Sequence, residues 1–175
     1  MKDLKLLEKT IGINFKDKKL FKNAFIHRSY LNENKNFELP SNEKLEFLGD
    51  SVLSLITSVY LYNNYPLLHE GDYTEIKSSI VRTESLAEAA KDLELGYYLY
   101  LSKGEEINDG RKNRNILADC FEALIAVIFI DQGFRRANSF VTKYLFKQRL
   151  NRLIDDKLYF SSKSRLQEIF QNKYK

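Results

Sequence analysis

One cysteine, Cys120, and two histidines, His27 and His69, are the only thiol and imidazole groups in this 175-residue chain. An intramolecular disulfide is therefore excluded, as is a zinc centre built from nitrogen and sulfur donors. A di-iron bundle needs a Glu-x-x-His pair on each of two helices, and neither histidine has a glutamate three residues before it. No internal repeat or low-complexity tract is present. The opening Met1-Lys2-Asp3-Leu4-Lys5 has no leader pattern, and the longest apolar run, about ten residues around Ile125, is too short to span a bilayer. These absences predict a soluble, cytoplasmic protein without membrane contact, and the length suits one good core with an appendage.

Carboxylates are what the chain offers instead. Glu46 and Asp50 stand four residues apart in Asn42-Glu43-Lys44-Leu45-Glu46-Phe47-Leu48-Gly49-Asp50-Ser51-Val52-Leu53, and Asp119 and Glu122 stand three apart in Ala118-Asp119-Cys120-Phe121-Glu122-Ala123-Leu124. Each spacing puts its pair on one helix face. At about 100° per residue, Leu45, Leu48, Val52, Leu55, Ile56 and Val59 fall in one apolar stripe, with Glu43, Glu46 and Asp50 in a sector away from it. The second helix is apolar almost all round, the mark of a buried element. An unpaired ionised carboxylate there costs several kcal/mol, or is protonated or neutralised. A divalent cation is the simplest remedy, and an all-oxygen donor set suits Mg²⁺ or Mn²⁺. That combination points to metal-assisted chemistry on a phosphate ester.

The periodicity predicts an all-α domain, with helices near 2–10, 17–29, 42–63, 70–80, 84–94, 114–131 and 133–150. Ser41-Asn42 reads as an N-cap and Ser85-x-x-Glu88 as a capping box. Gly49, inside a helix, implies close backbone approach by another element. Phe47 projects from a sector it shares with Ser51, Ser54 and Ser58. His27 and Arg28 read as packing or pairing residues, and Tyr97, Tyr98 and Tyr100 as packing residues. Residues 143–175 carry nine Lys or Arg against three Asp or Glu, a net +6 that leaves the first 142 residues at −2, so the basic end is the expected nucleic-acid side.

The stretch Glu43 to Ser51 resembles the signature of the ribonuclease III family, differing only at Lys44. Ala24-Phe25-Ile26-His27-Arg28-Ser29-Tyr30, Glu70-Gly71-Asp72, Ser85-Leu86-Ala87-Glu88, Ile116 to Leu124 and Asp131-Gln132-Gly133-Phe134 agree in order, so the resemblance covers about residues 5 to 150. It implies a dimeric helical endonuclease domain at 1–152. At 153–175 it implies a linker and the incomplete start of a double-stranded RNA-binding domain, whose opening helix Ser162 to Gln171 resembles. It further implies Asp50 and Glu122 as the catalytic pair, Glu46, Asp119 and Glu122 as Mg²⁺ ligands, and Glu43 and Glu70 as accessory acids. Phe47 is implied as the anchor of a homodimer. The activity implied is hydrolysis of double-stranded RNA to 5′-phosphate and 3′-hydroxyl ends, in processing of ribosomal and messenger precursors. A non-catalytic RNA-binding or ribosome-associated protein of the same fold is the competing expectation. Two residues depart from the family pattern: Asp109 stands where glycine is common, and Arg114 where an acid is common.

Overall fold

A computed structural model describes residues 3–150 together with 153 and 154. The expected start of an RNA-binding domain, 153–175, lies almost wholly outside the described residues. The helices are α1 Leu4–Ile11, α2 Lys18–Asn23, α3 Arg28–Glu33, α4 Glu43–Asn64, α5 Glu70–Ile80, α6 Thr83–Asp92, α7 Lys103–Ile107, α8 Arg114–Gln132 and α9 Phe134–Val141. A π-helical segment, Thr142–Leu150, follows, and short 3₁₀ turns occupy Leu95–Tyr98 and Gly110–Lys112. The only β pairing among the described residues is one parallel bridge between Ile26 and Tyr100. The domain is all-α, as expected.

Helix α8 is the axis of the core. Its apolar run from Ile116 to Ile128, interrupted only at Asp119 and Glu122, is buried, and its main neighbours are α4 and α6. Asn113 starts it, its side-chain oxygen accepting the backbone N–H groups of Asn115 (2.9 Å) and Ile116 (3.4 Å). Helix α4 lies along α8 at very short range: a Cβ built on Gly49 would fall 2.0 Å from the Glu122 carbonyl oxygen. The approach inferred for Gly49 is thus the α4–α8 crossing itself.

The α4 face turned to the core differs from the expected stripe. Leu45, Gly49, Val52, Leu53, Ile56, Thr57 and Leu61 are buried, whereas Leu55 is 54% exposed and Val59 37%. Contact with α8 rotates the buried face toward Leu53 and Leu61, leaving Leu55 and Val59 with Phe47 and Tyr62 on a second, outward apolar face. By length and composition alone α4 is also long and apolar enough to cross a membrane. Its inner face packs against α8, however, and its first turns carry Glu43, Glu46 and Asp50.

The expected helix 17–29 is two helices. Asp17 caps α2 through Leu20 N–H, but after Asn23 the chain turns at Ala24 and Phe25 and then bridges across, so that Tyr100 N–H donates to the Phe25 carbonyl (2.8 Å) and His27 N–H to the Tyr100 carbonyl (3.2 Å). His27 therefore caps α3 and Arg28 opens it. Rings of Tyr30, Phe37 and Tyr100 pack together beneath the Lys22 ammonium, fixing the segment that leads to α4.

Two more expectations change. The Ser85 box fails because α6 begins at Thr83, and the Ser85 hydroxyl donates instead to the Ser79 carbonyl at the end of α5. A capping box does occur at His69 and Asp72, at the head of α5. The expected helix 133–150 continues beyond α9 as a π-helix. Val141, Leu145, Phe146 and Leu150 are all buried, and the wider π turn suits their four-to-five-residue spacing. Arg149 ties this segment to α6 through Asp92 at 2.7 Å.

Candidate active site

Where α4 crosses α8, three carboxylates converge. Oxygen atoms of Glu46, Asp119 and Glu122, all half-buried, lie within 4.8 Å of one another. Glu46 comes from the first turn of α4, and Asp119 and Glu122 from successive turns of α8. The missing Gly49 side chain is what lets the two helices present them to one point. Asp50, also predicted for the site, stays exposed one turn along α4 and acts electrostatically on both Glu46 and Glu122.

Crowding and burial change the acidity of this cluster. Burial first, then the charges of Asp50, Asp119 and Glu46, push the Glu122 carboxyl from 4.5 up to about 8. Burial, with Asp119 and Glu43, also raises Glu46. Asp119 is raised by burial, and the Arg28 guanidinium works in the opposite direction. In the absence of a cation the cluster is thus an unfavourable store of negative charge. Its donors are all oxygens, and the adjacent Cys120 thiol is fully buried in the core and pushed strongly toward its protonated form. The donor set fits a hard divalent cation and disfavours a thiolate-seeking one.

Glu46 and Asp119 also form one wall of a cavity of about 580 Å³, whose other walls include His27, Arg28, Asn32, Glu43 and Glu105. Buried Asn42 joins these walls by donating its backbone N–H to the Ile26 carbonyl (2.8 Å) and its side-chain amide to the Ala24 carbonyl (3.1 Å). Glu43 thus lies beside the cluster, with Arg28 Nη1 3.7 Å from its Oε1. His27 packs as expected: its Nδ1 is 2.8 Å from the Ser29 hydroxyl, which accepts the Ser102 N–H, and burial lowers its basicity.

Glu70 stands elsewhere in this chain. It belongs to α5, accepts a hydrogen bond from the Thr74 hydroxyl (3.1 Å), and lines a separate groove with Ser58, Tyr62 and Lys77. Within one chain it does not join the cluster. Arg28 and Glu105 were missed as site residues, since nothing in a linear pattern shows that they meet Glu46 across the fold. Asp109, standing where glycine is common, takes φ 55°, a left-handed conformation that aspartate tolerates better than most residues. Arg114 is exposed at the first position of α8.

Comparison with known proteins gives the chain's family. A family model described as Ribonuclease-III-like matches residues 17–149. Ribonuclease 3 of Clostridium perfringens is 43% identical over 173 residues, which are 98% of this chain and 72% of that protein. The Treponema denticola ribonuclease 3 is 42% identical over 96% of this chain and 68% of its own length. A crystal structure of the nuclease domain of ribonuclease III from Campylobacter jejuni superposes with a TM-score of 0.76 at 34% identity, covering 85% of this chain and 97% of that one. Dicer from Pichia stipitis shares the fold at a TM-score of 0.60 and 23% identity. The chain belongs to the ribonuclease III family.

Proposed function

We propose that this protein is a Mg²⁺-dependent endoribonuclease that hydrolyses phosphodiester bonds in double-stranded RNA as a cytoplasmic homodimer, processing ribosomal and messenger precursors. The observation that carries the reading is the convergence of Glu46, Asp119 and Glu122 within 4.8 Å on a chain of this family. These three would hold the cation. When bound, Mg²⁺ supplies Lewis-acid polarisation of the phosphate and makes a bound water more acidic. Asp50, exposed beside the cluster, orients the attacking water and takes up its proton. The water oxygen bonds to phosphorus, the bond from phosphorus to O3′ breaks, and a proton returns to O3′, leaving 5′-phosphate and 3′-hydroxyl ends. A duplex buries its base faces, so recognition is of shape, phosphates and 2′-hydroxyls.

The dimer is supported by the outward face of α4, where Phe47 is 78% exposed and Tyr62 73%. A two-fold contact through that face puts two acidic sites on one duplex. One of the Campylobacter jejuni structures is described as showing flexibility in a region involved in dimer formation of that nuclease domain.

Incubation of the purified chain with a long RNA duplex, in Mg²⁺ and in chelator, tests the reading. Metal-dependent cleavage to 5′-phosphate ends is the expected result. Binding without cleavage would favour the non-catalytic alternative.

A further inference from the structure

The acidic cavity poses an electrostatic problem for its substrate. An RNA phosphate approaching Glu46 and Asp119 also meets Glu43 and Glu105, which line the same cavity. His27 adds no charge near neutral pH, because burial lowers its basicity. Arg28 is the one permanent cation among the described residues that line the cavity.

Its present ion pair is a weak one. Nη1 lies 3.7 Å from Glu43 Oε1, beyond hydrogen-bond range, and both side chains are mostly exposed, at 73% and 54%. The backbone beneath it is firmly placed, since His27 N–H is bonded to Tyr100 and Asn42 N–H to Ile26. An exposed guanidinium on a well-anchored backbone, with a loosely held partner, is suited to exchange that partner for a phosphate, which accepts two parallel N–H bonds.

We propose that Arg28 is a phosphate-binding residue of this site, releasing Glu43 to grip a backbone phosphate of the strand being cut. The proposal rests on the nuclease reading above. It assigns Arg28 to substrate affinity and leaves cation binding to the carboxylates.

Steady-state cleavage of an RNA duplex, over a range of salt concentrations at saturating Mg²⁺ and over a range of Mg²⁺ at fixed salt, with wild type, Arg28→Gln and Arg28→Lys, tests it. Circular dichroism melts check that each variant folds. Arg28→Gln is expected to raise KM about tenfold, change kcat less than about threefold, and flatten the slope of log kcat/KM against log salt by about one, the loss of one phosphate contact. Arg28→Lys keeps the charge without the fork, so its salt slope stays near wild type while KM is intermediate. Should Arg28→Gln not fold, an unchanged KM in Arg28→Lys overturns the proposal and an intermediate one supports it. A wild-type KM and salt slope in Arg28→Gln, with only the half-saturating Mg²⁺ concentration shifted, would show that Arg28 merely neutralises the carboxylates, and would overturn it. A wild type that cuts no duplex overturns the nuclease reading and this proposal together.

Discussion

Glu122→Gln should stabilise the metal-free protein, by an amount that grows with pH. Folded Glu122 holds its proton up to about 8, whereas an ordinary glutamate releases it near 4.5. Between those values the native state binds a proton that the unfolded chain does not. Wild-type stability is therefore fully present below about 4.5 and lost as pH rises toward 8. At about 1.4 kcal/mol per tenfold change in proton affinity, the whole separation is worth ~4–5 kcal/mol as an upper bound. Solvent reaching the half-buried carboxyl screens this to about 2–3 kcal/mol. Glutamine keeps the shape and cannot ionise, so the variant escapes this loss. In chelator at pH 8, and at fixed protein concentration, thermal melts should place Glu122→Gln about 5–10 °C above wild type, with the gap nearly closed at pH 4.5. Added Mg²⁺ should reverse the order, because only the wild type keeps the full ligand set and gains from binding. A variant that melts at or below wild type at pH 8, or a gap of the same size at both pH values, would show that the cluster does not carry the charge strain deduced for it.

The remaining expectations concern activity, packing and assembly. Asp50→Asn, at an exposed position, should leave the melting curve within about 1 kcal/mol of wild type and lower kcat by about 10²-fold or more, measured by duplex cleavage at saturating Mg²⁺. Gly49→Ala drives a methyl into the Glu122 carbonyl, so chemical denaturation should show a loss of about 2–4 kcal/mol and cleavage should fall with it; a variant of wild-type stability would contradict the crossing geometry. Phe47→Ala should weaken the dimer by several kcal/mol. Light scattering over a concentration series checks this, and a well-folded wild type that stays monomeric at tens of micromolar would defeat the role given to Phe47.

The two helices that matter most for the site were legible in the sequence because their signals are local. Asp119 and Glu122 interrupt a long apolar run, and Glu46 and Asp50 sit at helical spacing, so both pairs could be placed on faces before any contact was known. That two such helices could bring their carboxyls together also follows from the pattern, whereas the crossing that gathers Glu46, Asp119 and Glu122 at one point is visible only in the fold. Elsewhere tertiary hydrogen bonds overrode local pattern. Phe25 and Ile26 read as helix, yet Phe25 lies in a turn and Ile26 is bridged to Tyr100, some seventy-five residues away. That break in the helix carries Arg28 to the cavity, which is why its position was hidden. Ser85 fitted a cap formula but found the Ser79 carbonyl as a better partner. Leu55 and Val59 matched the core by hydropathy, and only the line of contact with α8 shows that they face outward. Helix α7 has just five residues, held by the Ser102 hydroxyl accepting Glu105 N–H (3.2 Å), too short for periodicity to show.

The contact of Gly49 with the Glu122 carbonyl means that the cluster has no hinge of its own. The backbone that aims Glu122 is the same backbone on which the α4–α8 core closes, so the acids cannot part while the core remains shut. Amide protons on both sides of the crossing should exchange with solvent only through the global opening reaction, at a rate set by the stability of the whole domain. Heat inactivation should then superimpose on heat denaturation, because the fold provides no separate low-temperature melting of the site.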